Sequence, residues 1–561
     1  MRTTIAIGFA CGIACAAVVW IFAHPFAWWV LLAGGAAGAA YAAAAPSSSA
    51  MLEEVVSAAA LAIPLWAMLE VIVVPLAGGQ PPAWTNVGMR ALFPSLIGWI
   101  GFGCALGLML HAVRKFAPLA AGSPNAAANR APARIVILGG GFAGMTTAAK
   151  LERALGADRS VEITLVSDTN ALLFTPMLAE VAGGSIEPTH ISSPLRTSLR
   201  RTKVVRATVN RIDLDARMID IESRDGTGLC RQISYDHLVL ALGAVSNFFG
   251  EERIARVALD FKSLTDAIRI RNWIIALIER ADLEPDTALR RALLTFVIAG
   301  GGFAGVELAG ALNDFARGVV ADYGSLSASD VSVVLVHARE RILPELSPTL
   351  AKYAQSRMTE RGVRFVLETR VTDASSTSVS LASMSRACAE TIASYTLIWT
   401  AGTAPNPLLT TLDVPRDGRG AAFVNANLAV AERTNVWALG DCAAVPNGRN
   451  GTYPPTAQHA LRQAACLASN IRATLRGEPL ERFAFESLGS LCVIGHQLAC
   501  AEIRVPFGGR KLLFSGVFAW LLWRAIYLSK LPGFDRKARV LVDWVTELLF
   551  PRDTVQTIDV A

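Results

Sequence analysis

The hexapeptide GGGFAG occurs twice, as Gly139–Gly144 in IVILGGGFAGMTTA and as Gly300–Gly305 in FVIAGGGFAGVELA. Each copy follows a short, mostly apolar run, Arg134-Ile-Val-Ile-Leu138 or Thr295-Phe-Val-Ile-Ala299, and leads into a helix-like stretch. In a strand–turn–helix unit the glycines make the tight turn, admit a pyrophosphate to bare backbone and let helix pack on strand. The helix N-terminus adds partial positive charge. A single glycine loop is a weak signal, but two in matching settings predict an α/β chain with two Rossmann-type domains, each binding a dinucleotide.

A second strand is expected after each helix, ending at the nucleotide ribose. In the first copy it is Val161–Val166, followed by Ser167 and Asp168, so Asp168 is the candidate acid although it sits one residue late. In the second it is Val331–Val336, followed by His337. With Arg339 and Arg341 close by, a histidine there would tolerate a 2′-phosphate, and NADH is preferred over NADPH. Chains with two such units commonly bind FAD in the first. Gly139, Gly141, Phe142, Ala143 and Gly144 are therefore assigned to FAD, and Gly300, Gly302, Phe303 and Gly305 to NADH. A strand ending in Gly440-Asp441, within Asn435-Val-Trp-Ala-Leu-Gly-Asp441, adds a carboxylate suited to the flavin ribityl chain.

The second copy carries Glu307 where the first has Thr146. Read within the first helical turn, an acid there complements the helix dipole by under about 1 kcal/mol. Alternatively it borders the junction where nicotinamide meets flavin.

The composition is 53% hydrophobic and 17% charged, too apolar for an ordinary soluble enzyme. The excess lies before about residue 113, in Thr4–Ala23, Phe26–Ala45, Val55–Ala77 and Leu92–Val113. Each is near the roughly 20 residues needed to cross a bilayer. Gly34/Gly38 and Gly103/Gly107 have the small-xxx-small spacing of close helix packing, and Glu70 is a carboxylate inside the third span. Arg2, Arg114 and Lys115 favour a cytoplasmic location for both ends, with Arg90 against it. The net charge of +6, spread along the chain, gives no support for nucleic-acid binding. The nine cysteines form no CxxC pair and no metal-ligand spacing, so neither a disulfide framework nor a metal site is expected.

From about Arg134 to the C-terminus the sequence resembles the type II NADH:quinone oxidoreductases, single-chain FAD-containing respiratory enzymes. Leu173-Phe-Thr-Pro-Met-Leu178 resembles the family segment beside the flavin ring. Tyr235–Gly243 is similar to the strand returning to FAD, and Trp399-Thr-Ala-Gly402 to the return from the NADH domain. Ala457-Gln458-His-Ala-Leu-Arg-Gln463 is similar to the quinone-side AQxAxQ motif, but Arg462 stands at the usual second Gln, which leaves that role in doubt. The resemblance implies FAD contacts at Thr175, Pro176, Gly243, Gly440 and Asp441, and NADH contacts at His337 and Gly402. It also implies catalytic roles for Glu307 and Gln458, and quinone contacts at Gln458, His459 and Arg462. The implied activity passes electrons from NADH through FAD to a quinone without proton pumping.

The expected layout is four spans over 1–117 and a linker over 118–132. The FAD domain takes 133–260 and 403–485, the NAD(P)H domain 261–402, and a membrane-association region 486–561. In that last region Arg539, Asp543 and Glu547 form one stripe of a helix, with Leu541, Trp544, Val545 and Leu548 on another face. Quinone and the lipid bilayer are the expected partners, with a homodimer left open, at the cell (inner) membrane and with the catalytic part in the cytoplasm. Two rivals remain: a sulfide:quinone oxidoreductase, which needs a flavin-side cysteine that the stretch between Cys104 and Cys230 lacks, and a membrane-bound redox sensor without turnover.

Overall fold

The computed structural model describes residues 2–23, 28–44, 51–83, 91–116, 132–155, 158, 160–224, 226–384, 389–449, 451–505 and 510–556. The linker expected at 118–132 falls, except for its last residue, outside them. So do Arg90 and the side chains of Arg2, Arg114 and Lys115, on which the orientation rests. The chain divides into two compact units, Met1–Asn125 with Val517–Val542, and Ala126–Gly516 with Asp543–Ala561.

The larger unit is built on two sheets of matching plan. In the first, Ala133–Leu138 lies between Val161–Ser167 and His237–Leu240, with Val436–Ala438 outside the latter, all parallel. Lys203–Asp213 joins in parallel and leads to an antiparallel extension, Met218–Ser223 and Cys230–Ser234. In the second, Thr295–Ala299 lies between Ser332–Val336 and Thr396–Trp399, again parallel, with Val363–Val366 and Leu259–Asp260 at the edges. The central strands are rich in Val, Ile and Leu, and the last four residues of each are buried, as a strand covered on both faces requires. The first cradle's strand and helix belong to a continuous core that also contains Leu238, Trp437 and Ala460. Two antiparallel segments, Ala244–Ser246 and Thr403–Pro405, pair where the chain leaves and re-enters the first half.

The smaller unit holds helices Arg2–Ala23, Trp28–Ala44, Met51–Trp66 and Phe93–Phe116. The third continues through a π-helical turn, Ala67–Val73, into Val74–Ala77. The predicted glycines do allow close approach: a Cβ on Gly38 would lie 2.2 Å from the Gly8 carbonyl oxygen, and one on Gly107 2.5 Å from Val55 Cα. Glu70 sits in the π-helical turn and accepts from Trp99 Nε1 at 3.3 Å. The more deeply buried carboxylate is Glu54, 2% exposed, with His111 Nδ1 3.1 Å from its Oε2. Sequence reading passed over Glu54 because it lies at the margin of the third apolar run.

The C-terminal region expected over 486–561 is not one body. Its hairpin strands Gly489–Gly495, Leu498–Arg504 and Lys511–Ser515 belong to the larger unit, 517–542 to the smaller, and 543–561 to the larger again. Within helix Phe534–Leu549 the expected faces need one correction. Leu541, Val545 and Leu548 are about half exposed, but Trp544 is 4% exposed and donates from Nε1 to Glu180 Oε2 at 3.2 Å. Its indole N–H finds a protein acceptor, which turns the ring inward.

Candidate active site

Both glycine loops have the same backbone. Gly139 and Gly300 adopt φ of 110° and 116°, and each donates its N–H across to the neighbouring strand at 2.8 Å, to Val166 and Val336 respectively. Only glycine takes such φ without strain. A Cβ on Gly144 would lie 1.9 Å from the Gly139 carbonyl oxygen, and one on Gly305 the same distance from that of Gly300. By contrast, a Cβ on Gly141 or Gly302 would meet nothing within 4 Å, so these glycines border open space at the helix N-termini. That combination, tight beneath and open above, fits a pyrophosphate in each cradle. Phe142-Ala143 and Phe303-Ala304 open the two helices.

The paired register makes Ser167 the counterpart of His337. His337 accepts the Gly301 N–H on Nδ1 at 3.0 Å, and its Nε2 is buried with no protein partner among the described residues. The histidine therefore braces its own loop as well as standing at the strand end. Burial, followed by the Arg339 charge, holds its pKa below the usual histidine range. Asp168 is largely exposed, with Arg224 3.6 Å away.

Around the first cradle, Thr175 and Pro176 lie in a 3₁₀ turn after Phe174, whose ring meets that of Phe142 edge-on at 5.7 Å. Gly243 ends the returning segment, and its carbonyl accepts from Asn406 N. A Cβ on Gly402 would lie 2.6 Å from the Phe249 ring. Asp441 lies in the turn Gly440–Cys442, and burial pushes its carboxyl pKa up while Lys262 and Arg419 oppose the rise. Lys262 was not singled out from sequence; its Nζ donates to the Ala244 carbonyl at 3.2 Å. Gln463 was set aside because Arg462 held the expected position. It is buried, and its Oε1 accepts the Gly440 N–H at 2.8 Å, tying helix Ala457–Arg476 to the Gly-Asp turn.

Helix Phe303–Val319 starts earlier than the sequence reading assumed, so Glu307 begins its second turn, where the dipole has little hold. Its Oε1 accepts the Val493 N–H at 3.3 Å. Gln458 Nε2 donates to the Gly489 carbonyl at 2.8 Å, and its Oε1 is buried without a partner among the described residues. One strand, Gly489–Gly495, thus brings the two expected catalytic residues into a common frame. His459 and Arg462 are occupied elsewhere. His459 is buried, with Nδ1 2.7 Å from Thr456 Oγ1 and its ring against Tyr453 and Phe485, while Arg462 is exposed over the Phe485 ring.

Comparison with known proteins agrees with this architecture. The model of the pyridine nucleotide-disulphide oxidoreductase family matches residues 133–464, and that of the NDH2 C-terminal domain matches 488–553. Type II NADH:quinone oxidoreductase NdhA of Mycobacterium tuberculosis is 32% identical over 439 residues, covering 76% of this chain and 89% of that protein. The chain belongs to the type II NADH:quinone oxidoreductase family. Another relative, demethylphylloquinone reductase NdbB of Synechocystis, is 30% identical over 74% of this chain and 96% of its own length. The solved structure of NDH2 from Plasmodium falciparum in complex with NADH shares the fold, with TM-score 0.69 and 18% identity over 75% of this chain and 99% of that one. Membership in the type II family sets FAD and NADH as its nucleotides.

Proposed function

We infer that the protein carries electrons from NADH through FAD to a quinone without pumping protons, the activity of the type II family to which it belongs. The observation that carries this reading for its own residues is the shared strand Gly489–Gly495, bonded to Gln458 at one end and approached by Glu307 near the other. Bound FAD would supply the two-electron chemistry that links hydride transfer from the nicotinamide to reduction of the quinone.

The protein's own part is alignment, exclusion of water and placement of protons. The first cradle would hold the FAD pyrophosphate, and Asp441, Thr175 and Pro176 would serve its ribityl chain and ring. The second cradle grips NADH. Glu307 orients the carboxamide and offers a carboxylate near the reacting rings. Gln458 has its amide N–H engaged by Gly489 and a buried Oε1 with no partner among the described residues, an acceptor kept for the quinone. Cys104 and Cys230 bracket a first half without cysteine, which leaves sulfide chemistry unsupported.

Helices Glu54–Ala77 and Pro94–Val113 are long and apolar enough to cross a bilayer, and they anchor the enzyme in the cell membrane with helices Arg2–Ala23 and Trp28–Ala44 beside them. The exposed Leu541, Val542, Val545, Leu548, Leu549 and Phe550 suit the bilayer surface. The FAD part is taken as 133–260 and 403–485 and the NAD(P)H part as 261–402, with the strand Leu259–Asp260 passing to the second sheet, and the catalytic part faces the cytoplasm.

The test is purification in detergent, a flavin absorption spectrum and NADH-dependent reduction of a short-chain quinone. A protein that is colourless, and stays so when FAD is added, refutes this function.

A further inference from the structure

Residues 180–190 follow directly on the flavin-side segment Leu173–Leu178 and are held from two directions. On one side is helix Phe303–Val319: a Cβ on Gly183 would lie 3.0 Å from Ala311 Cβ, and one on Gly184 3.1 Å from the Phe315 ring. On the other side is the end of the last helix. Trp544 Nε1 donates to Glu180 at 3.2 Å, and Ser185 Oγ donates to Glu547 Oε1 at 2.7 Å. Asp543 Oδ2 accepts the Glu187 N–H at 3.2 Å and lies 2.6 Å from His190 Nδ1.

Glu547 is the most heavily used of these groups. Its side chain is 6% exposed, with Arg552 Nη2 at 2.9 Å and His496 Nδ1 at 3.8 Å. His496 follows strand Gly489–Gly495 and closes a circuit. Its N–H donates to Asp314 at 2.6 Å, and its carbonyl accepts from Arg361 at 3.1 Å, with Arg361 also paired to Asp314. Asp314 lies on the Glu307 helix, whose stripe Glu307, Gly310, Asp314 meets Val493, Ile494 and His496 in order. A carboxylate stripped of water needs such partners, and losing them is costly. Asp543 and Glu547 of the last helix are therefore committed to the larger unit, while Val545, Leu548 and Leu549 of the same helix are exposed and apolar.

We propose that Asp543 and Glu547 are positioning residues for the quinone step: they clamp residues 180–190, and through them the turn Thr175–Met177, to the helix whose apolar side meets lipid. This rests on the function inferred above. The clamp makes the geometry beside the flavin depend on how the last helix is seated, whereas the NADH loop itself is braced by its own strand and His337, and residues 180–190 touch its helix further along, at Ala311 and Phe315.

The experiment uses the full chain in lipid nanodiscs with Asp543→Asn, Glu547→Gln, the double variant and the conservative Asp543→Glu. Flavin content, anaerobic flavin bleaching by NADH, turnover with ferricyanide and quinone kcat/KM are measured together. In the double variant, quinone kcat/KM is expected to fall roughly tenfold or more, with bleaching and ferricyanide turnover held within about twofold and Asp543→Glu recovering part of the loss. Should the double variant not accumulate with flavin, Trp544→Phe carries the test. It removes the indole N–H that donates to Glu180 and is expected to show the same split at about threefold. Unchanged quinone kcat/KM overturns the proposal, as does a parallel loss of quinone and ferricyanide turnover, the mark of a merely structural role. Failure of the unaltered protein to reduce quinone, despite bleaching by NADH, overturns the function itself.

Discussion

Gln458 donates from Nε2 to the carbonyl of Gly489 at 2.8 Å. Further along that strand Val493 donates to Glu307. Two residues from separate helices are thus oriented by one strand of the C-terminal hairpin. Gly489 has no room for another side chain: a Cβ there would lie 2.1 Å from the Glu502 carbonyl oxygen.

Replacing Gln458 by Ala removes both the anchor to Gly489 and the acceptor oxygen. Quinone kcat/KM is expected to fall by roughly tenfold to a hundredfold with FAD content unchanged, the loss of one or two oriented hydrogen bonds. Steady-state kinetics alongside a flavin spectrum check this. For Glu307→Gln, slower quinone reduction with FAD retained is expected, and unaltered turnover removes Glu307 from the catalytic set.

The glycine loops make a paired prediction. Gly141→Ala meets no protein atom within 4 Å, so the fold should tolerate it, yet the methyl group intrudes where the pyrophosphate approaches. The variant should lose its colour and melt where the unaltered protein stripped of FAD melts. Gly302→Ala should remain yellow and lose NADH bleaching. Gly144→Ala instead drives a Cβ into the Gly139 carbonyl and should cost more than about 2 kcal/mol of stability.

His337 gives a pH dependence of defined sign. The Gly301 N–H requires an unprotonated Nδ1, and burial holds the folded-state pKa below the ordinary value. The neutral form is thus favoured by folding. Its contribution is fully present above the unfolded pKa of about 6.5 and is lost as pH falls through the lower folded value. KM for NADH is expected to rise as the pH falls below the ordinary histidine range and through the lowered folded-state value, and His337→Asn to flatten that part of the profile. Equal pH profiles for the two proteins count against the brace.

In the smaller unit, the buried Glu54 pairs with the partly exposed His111. Glu54→Leu alone strands its partner and should destabilise by about 3–5 kcal/mol, whereas Glu54→Leu with His111→Leu should recover most of that loss. Melting temperatures of the full chain in detergent, read as a double-mutant cycle, decide it.

The sequence determined what is local. Repeated glycine loops after apolar runs fixed the two cradles, because turn chemistry and strand burial are properties of a few adjacent residues. Apolar length marked the helical N-terminal segment in the same way. Tertiary structure alone decided what depends on distant partners: Gln463 on Gly440, His337 turned onto its own loop, Trp544 inward rather than with Leu541 and Val545, and Glu54 rather than Glu70 as the deeply buried acid. A hydrogen bond between residues far apart in sequence leaves no periodic trace in the chain, since its geometry exists only once helices and strands have packed and each buried polar group has had to find a partner.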